Sequence, residues 1–153
     1  MAPPVDLVPS DPTVPTTTSV VVIGGGIIGV CTALFLARKG VPVVLCEKGE
    51  IAGEQSSRNW GWCRKMGRDQ RELPLAIEAL RLWPEMNTLV GAETGFRRSG
   101  IVYLCRTREE LAKREAWLES AAKPMGLDSR LLTRDQMNRV LPGLAGTDRK
   151  SVV

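Results

Sequence analysis

The sequence predicts an α/β chain that opens with a strand–turn–helix–strand unit on a parallel sheet. Three observations carry this. A β-branched run, Ser19 to Ile23, leads straight into Gly24-Gly25-Gly26-Ile27-Ile28-Gly29, which has the G-x-G-x-x-G spacing. Apolar helix formers follow the glycines. A second apolar run, Val41 to Cys46, then closes on the acidic Glu47 about twenty residues further on.

Residues 1–18 are rich in Pro and Thr with little to bury, and read as a disordered leader. Ser19–Ile23 suits a strand buried on both faces. Ile27–Lys39 reads as a helix that is apolar nearly all round, with Arg38 and Lys39 in its last turn and Gly40 as its stop. Val41–Cys46 is the second buried strand. From Gly49 to Asp69 no period holds, and a long functional loop with one helical turn is expected. Leu73–Val90 is a helix with Leu73, Ile77 and Leu80 on one side, kinked or divided at Pro84. Ile101–Cys105 is a strand, apolar on both faces. Thr107 with Glu110 has capping-box spacing for a helix to about Lys123, and Thr133 with Gln136 repeats it for a short helix ending before Pro142. There is no internal repeat and no heptad run.

Val20 to Ala37 is 18 residues without a charge, which is also the length of a membrane-spanning candidate. Four glycines inside it, each costing about 1 kcal/mol relative to Ala in a helix, argue against a uniform span. The nineteen preceding residues hold no Lys or Arg, so a signal peptide's basic region is missing.

Composition narrows the chemistry. The chain of 153 residues has no His, which excludes His-based triads, His metal ligation and His acid–base catalysis within it. Its four cysteines, Cys31, Cys46, Cys63 and Cys105, form no C-x-x-C pair, so no metal site is expected. Reduced thiols and a cytoplasmic location follow as the default. A net charge of +4 suits an anionic ligand but is too small to imply nucleic acid. Trp60-Gly61-Trp62-Cys63-Arg64-Lys65 mixes aromatic and basic residues as single-strand binders do. With so modest a charge, Trp rings packed beside a cofactor and cations offsetting its phosphates are the better reading, and no nucleic-acid partner is expected.

Each glycine has a physical role. Gly24 permits the tight turn out of the strand, Gly26 lets backbone approach a pyrophosphate, and Gly29 lets the helix pack on the strand. The helix start at Ile27 and Ile28 offers unpaired N–H groups and a partial positive charge to phosphate. Glu47, followed by Lys48, can accept hydrogen bonds from ribose hydroxyls and would repel a 2′-phosphate, so an NADP-type ligand is disfavoured. Ser56, Ser57, Arg58, Asn59 and Gly61 form a polar segment with hydroxyl, guanidinium and amide groups suited to phosphate oxygens. Glycine spacing alone does not separate FAD from NAD.

The stretch "VVVIGGGIIGVCTALFLARKGVPVVLCEKGEIAGEQSSRNWGW" resembles the amino end of FAD-dependent oxidoreductases of the D-amino-acid oxidase type, a group that includes glycine and sarcosine oxidases and D-amino-acid dehydrogenases. Ala33, Leu36, Gly40, Val43 and Glu47 fall where the flavoprotein fingerprint expects them, and "SSRNWG" resembles the family's segment beside the FAD pyrophosphate. "GFRRSGIVYLCRTREELAKREAWL" and "LLTRDQMNRVLPGL" resemble the family less specifically. The resemblance spans roughly residues 19–144. It implies an incomplete Rossmann-like FAD-binding βαβ (19–95, with the following loop and helix) and the start of an α+β substrate domain (96–147). It further implies that the full enzyme takes a hydride from the α-carbon of an amino acid or related amine, giving an imine that hydrolyses. Catalytic residues would lie in the family's carboxyl-terminal half, and none is assigned here. The electron acceptor, oxygen or a membrane quinone pool, is left open, with membrane association only through it. The alternatives are a non-catalytic dinucleotide-binding fragment and an NAD-dependent dehydrogenase, the latter disfavoured by the SSRN segment.

The final six residues, Asp148 to Val153, depart from the family pattern. They also equal the translation of GAT CGG AAG AGC GTC GTG, one frame of a common sequencing-adapter oligonucleotide. A non-native tail is therefore expected at 148–153, and resequencing the locus tests it.

Overall fold

A computed structural model describes residues 4–143 and the backbone of Ser151–Val152. Residues 1–3 of the expected leader, and 148–150 and 153 of the expected tail, lie outside the described residues. The chain divides into two compact units, Met1–Trp62 and Cys63–Val153.

In the first unit, residues 4–18 form no helix or strand and are almost wholly exposed. Strands β1 (Val20–Ile23) and β2 (Val43–Cys46) pair in parallel, Val20 opposite Val43 and Ile23 opposite Cys46. Helix α1 (Ile27–Arg38) connects them and packs on both. Its end matches the expectation: Gly40 takes φ 72°, and its N–H donates to the Ala37 carbonyl at 2.9 Å. The strands are shorter than the apolar runs, because at residue 42 the chain has a proline, whose carbonyl alone joins the ladder through Val20 N–H at 3.2 Å.

Alternation along β1 puts Val20 and Val22 on one face and Val21 and Ile23 on the other. The Val22 face meets α1, where the space above Gly29 is bounded by Val22 Cγ1. The opposite face carries Ile23 at 88% exposure and Val21 at 56%. Among described residues of this unit, only Gly25 is buried. Among the described residues of this unit α1 is the layer packed on the two-stranded sheet, and β1, expected to be buried on both faces, is exposed on its Val21–Ile23 face.

The second unit is mostly helical. The expected helix from Leu73 to Val90 is divided at Pro84 into α3 (Leu73–Leu82), a 3₁₀ turn over Trp83–Glu85, and α4 (Met86–Val90). Proline lacks the N–H that an uninterrupted helix would use, and the tighter turn absorbs the break. Leu73 is fully buried. Strand β3 is only Tyr103–Leu104, shorter than Ile101–Cys105, and Leu104 is exposed rather than covered on both sides.

Helix α5 (Arg108–Trp117) starts at the Thr107 cap, whose Oγ1 accepts from Glu110 N–H at 3.1 Å, and continues as a π turn over Leu118–Ala122. The reciprocal bond is displaced by one residue, since the Glu110 carboxylate accepts from Arg106 N–H. At α6 (Arg134–Val140) the capping box is complete, with Thr133 N–H donating to Gln136 Oε1 at 2.9 Å. Strand β4 (Leu131–Leu132) had no distinct sequence signal. The backbone of β5 (Ser151–Val152) lies between β3 and β4, antiparallel to both.

Met66, Cys105, Leu118 and Ala122 form the core of this unit, with Ile101, Tyr103, Leu111 and Trp117 packed around it. Met66 comes from the segment expected to be a loop of the first domain. Trp117 Nε1 donates to Arg68 O at 3.1 Å, and Gln70 reaches Ser120. These links tie residues 66–73 to α5 and the π turn that follows it, within the unit that begins at Cys63. Among described residues, no helix is long and apolar enough to cross a membrane.

Candidate cofactor-binding site

The glycine turn is held from both ends. Gly24 has φ 107°, outside the range comfortable for residues with a Cβ, and its N–H donates to the Cys46 carbonyl at 2.8 Å. This bond fixes the exit of β1 beside the exit of β2. Gly26 is the N-cap of α1 in extended conformation, with no side chain of its own to satisfy the helix. Ser56 supplies that function from a distance: its Oγ accepts from Ile27 N–H at 2.8 Å. A Cβ at Gly26 would come within 3.1 Å of that oxygen. At Gly29 a Cβ would fall inside the van der Waals envelope of the Gly24 carbonyl oxygen, so the close helix approach expected there is present.

Glu47 grips the turn with both carboxylate oxygens. Oε2 accepts from Gly25 N–H at 2.6 Å and Oε1 from Gly49 N–H at 2.9 Å. The Gly25 bond first, then the Gly49 bond, hold its carboxyl below the ordinary range, with Lys48 adding a small attraction. Glu47 is therefore an anion at neutral pH, with acceptor capacity remaining on each oxygen. Lys48 itself is exposed beside it.

Glu47 and Ser56 converge on the glycine turn; the other members of the polar segment do not. Helix α2 (Gln55–Arg58) is the helical turn expected in this loop. Ser57 Oγ donates to the Glu54 carbonyl, and Arg58 pairs with Glu54 at 3.2 Å. Asn59 Nδ2 donates to Ser56 O at 2.6 Å, while its Oδ1 accepts from the N–H of Gly61, which has φ 68°. These groups close the helical turn on itself. Trp60 and Trp62 meet edge to face at 5.2 Å and are both exposed. Arg64 and Lys65 belong to the second unit.

Sequence reasoning missed Gly25, Gly49 and Ala52. Gly25 donates to Glu47, its carbonyl accepts from Ala52 N–H at 2.9 Å, and a Cβ there would lie 2.5 Å from Ile51 Cδ1. Ala52 adopts φ 60°, unusual without glycine. The available signal was the middle glycine of the run of three, at the x position of G-x-G, which the G-x-G-x-x-G spacing does not require. Among described residues, no group of acidic, His and Cys side chains could hold a metal.

The donor set fits a dinucleotide. Among described residues, the N–H groups of Gly26, Ile28 and Gly29 meet no protein acceptor, and they open the same helix end whose turn abuts the Glu47 carboxylate.

Residues 19–152 match the model of the family described as FAD dependent oxidoreductase. The chain belongs to that family. Its relatives within these FAD-dependent oxidoreductases include glycine oxidase of Pseudomonas putida, 32% identical over 115 residues that make up 69% of this chain and 30% of that protein. The human mitochondrial sarcosine dehydrogenase is 28% identical over 136 residues, 88% of this chain and 15% of its own. Among solved structures, L-amino acid deaminase from Proteus vulgaris superposes with a TM-score of 0.85 at 32% identity, covering 96% of this chain and 35% of the deaminase. The chain thus spans about a third or less of each of these relatives. The family assignment bears out the FAD-dependent flavoprotein expected from the resemblance, and these neighbours bear out the incomplete Rossmann-like α/β fold.

Proposed function

We propose that this chain cradles the adenosine and pyrophosphate part of FAD in an oxidoreductase that oxidises an amino acid or related amine by hydride transfer. The observation that carries the cradle is the convergence of Glu47 and Ser56 on the turn from Gly24 to Gly29. Glu47, already charged, accepts ribose hydroxyls. The free N–H groups of Gly26, Ile28 and Gly29 bind phosphate oxygens. Ser56 positions Ile27 at the helix start. Lys48, Ser57, Arg58, Asn59 and Gly61 line the approach rather than the turn.

When bound, FAD supplies the hydride acceptor. An amino-acid or amine substrate is supported by the names of the glycine oxidase and L-amino acid deaminase relatives. Four free cysteines support a reducing, cytoplasmic setting. A second reading, a nucleotide-binding module without turnover of its own, is favoured by the uncovered face of β1.

Titrating the full 153-residue chain with FAD, following quenching of flavin fluorescence, tests the cradle. Saturable binding weakened at least tenfold by Glu47→Ala, with no competition from NADP, is expected. Binding of NAD in preference to FAD, or FAD binding indifferent to Glu47→Ala, would overturn it. Oxygen consumption or dye reduction with a panel of amino acids separates the two readings.

A further inference from the structure

We propose that Arg64 and Arg114, closing on Tyr103 and the Gly67 turn, form a binding site for a small oxyanion, a carboxylate or a phosphate, in the second unit. The residues come from three places in the sequence: the segment before Gly67, strand β3 and helix α5. The Arg114 guanidinium lies 4.5 Å from the centroid of the Tyr103 ring, and that of Arg64 lies 5.9 Å from it. The space above Gly67, which has φ 69°, is bounded by Arg114 Nη1 at 3.2 Å and Arg64 Nη1 at 3.3 Å. The two nitrogens are therefore separated by less than twice that distance, a span that one oxyanion bridges.

Like charges brought this close repel unless something shares them. Among the described residues no carboxylate lies within ion-pair distance of either. Lys65, Arg68 and Lys113, their neighbours in sequence, each pair with a carboxylate, whereas Arg64 and Arg114 pair with none. Arg64 donates through Nη1 to the Met66 carbonyl, and Arg114 makes no hydrogen bond among the described residues. Glu110, one turn before Arg114 on α5, attracts Arg114 through space without pairing with it, its carboxylate accepting from Arg106 N–H at the helix start. Arg64 and Arg114 are half-buried residues whose guanidinium groups lie against the Tyr103 ring and the Gly67 turn. Guanidinium forks match the oxygens of carboxylates and phosphates, and charge-assisted bonds to a shared anion replace the repulsion with attraction. This proposal concerns the second unit alone and does not depend on the flavin reading.

Tyr103 is the only tyrosine of the chain, so 3-fluorotyrosine labelling places one ¹⁹F reporter on the ring between the two arginines. The full chain is titrated with sodium acetate and with sodium phosphate, each against sodium chloride at equal ionic strength. The expected result is a saturable ¹⁹F shift with a dissociation constant on the order of millimolar for at least one of the two anions. Acetate saturating first identifies a carboxylate site, and phosphate first a phosphoryl site. Arg114→Gln and Arg64→Gln are expected to weaken binding about tenfold each, and Lys65→Gln to leave it unchanged. Arg114→Lys, which keeps the charge and loses the fork, serves where the glutamine variant fails to fold, with a weakening of several-fold. A shift that stays linear and equals that of chloride overturns the proposal, as does saturation that both arginine variants leave intact.

Discussion

Replacing Gly29 by alanine is a direct test of how the cradle is built. An ideal Cβ there overlaps the Gly24 carbonyl oxygen and approaches Val22 Cγ1 to 3.3 Å. The obstructing atom is backbone, and it is pinned: Gly24 takes φ 107° and bonds Cys46 at 2.8 Å. Relief requires α1 to move away from β1, or the Gly24–Cys46 bond to break. Overpacking of a fixed contact costs about 1–3 kcal/mol, and a backbone obstacle puts this case in the upper half of that range. At about 1.4 kcal/mol per factor of ten, amide protection across residues 20–46 should fall roughly 30- to 150-fold, read by hydrogen–deuterium exchange of the full chain. Gly40→Ala is the control. It has φ 72° but nothing within 4 Å of its Cβ, so only the left-handed backbone term of about 1 kcal/mol applies, a loss of about fivefold. If Gly29→Ala keeps its protection within threefold of the parent and binds FAD equally well, close approach of α1 to the turn is not what shapes the site.

The remaining predictions are smaller in scope. Glu47 has its pKa lowered on folding by the Gly25 and Gly49 N–H bonds, so its contribution is present above the ordinary glutamate pKa and is lost as pH falls through the lower, folded value. Amide exchange at Gly25 and Gly49 should therefore accelerate in acid beyond its intrinsic pH dependence, and Glu47→Gln should abolish that excess. Thr133→Ala removes one half of the complete capping box at α6 and should cost about 1 kcal/mol, measured as a lower urea midpoint for the second unit. Glu93 is held at a pKa of about 2 by Arg97, Gly95 and Asn87, and its side-chain carbon should titrate there by NMR, returning to the ordinary range in Arg97→Ala.

What the sequence made legible was what local chemistry decides. The strand, glycine turn, helix and acidic terminus lie within a short stretch, and each glycine's role follows from the need for a turn or a close approach. The break at Pro84 and the caps at Thr107 and Thr133 follow from missing or supplied N–H partners, and they are present. Legibility failed where a residue had several possible partners. Ser57, Arg58 and Asn59 carry the right groups for phosphate, yet nearby Glu54 and the carbonyls of α2 are closer partners and take them. Met66, Arg64 and Tyr103 meet across dozens of residues, and no local period encodes such a meeting. The apolar run Ile101–Cys105 marked β3 but not its two-residue extent, and β4 carries too few residues for any period to register.

The bonds that shape the cradle also have a temporal meaning. The Glu47 link to Gly25 spans 22 positions, and the Ser56 link to Ile27, the longest among them, spans 29. Such short loops close quickly, because little chain entropy is lost in joining their ends. All of the cradle's partners have been synthesised once Ser56 has been added to the chain, before residue 63, where the second unit begins. The order of translation is thus compatible with a phosphate-ready turn whose partners all precede the second unit.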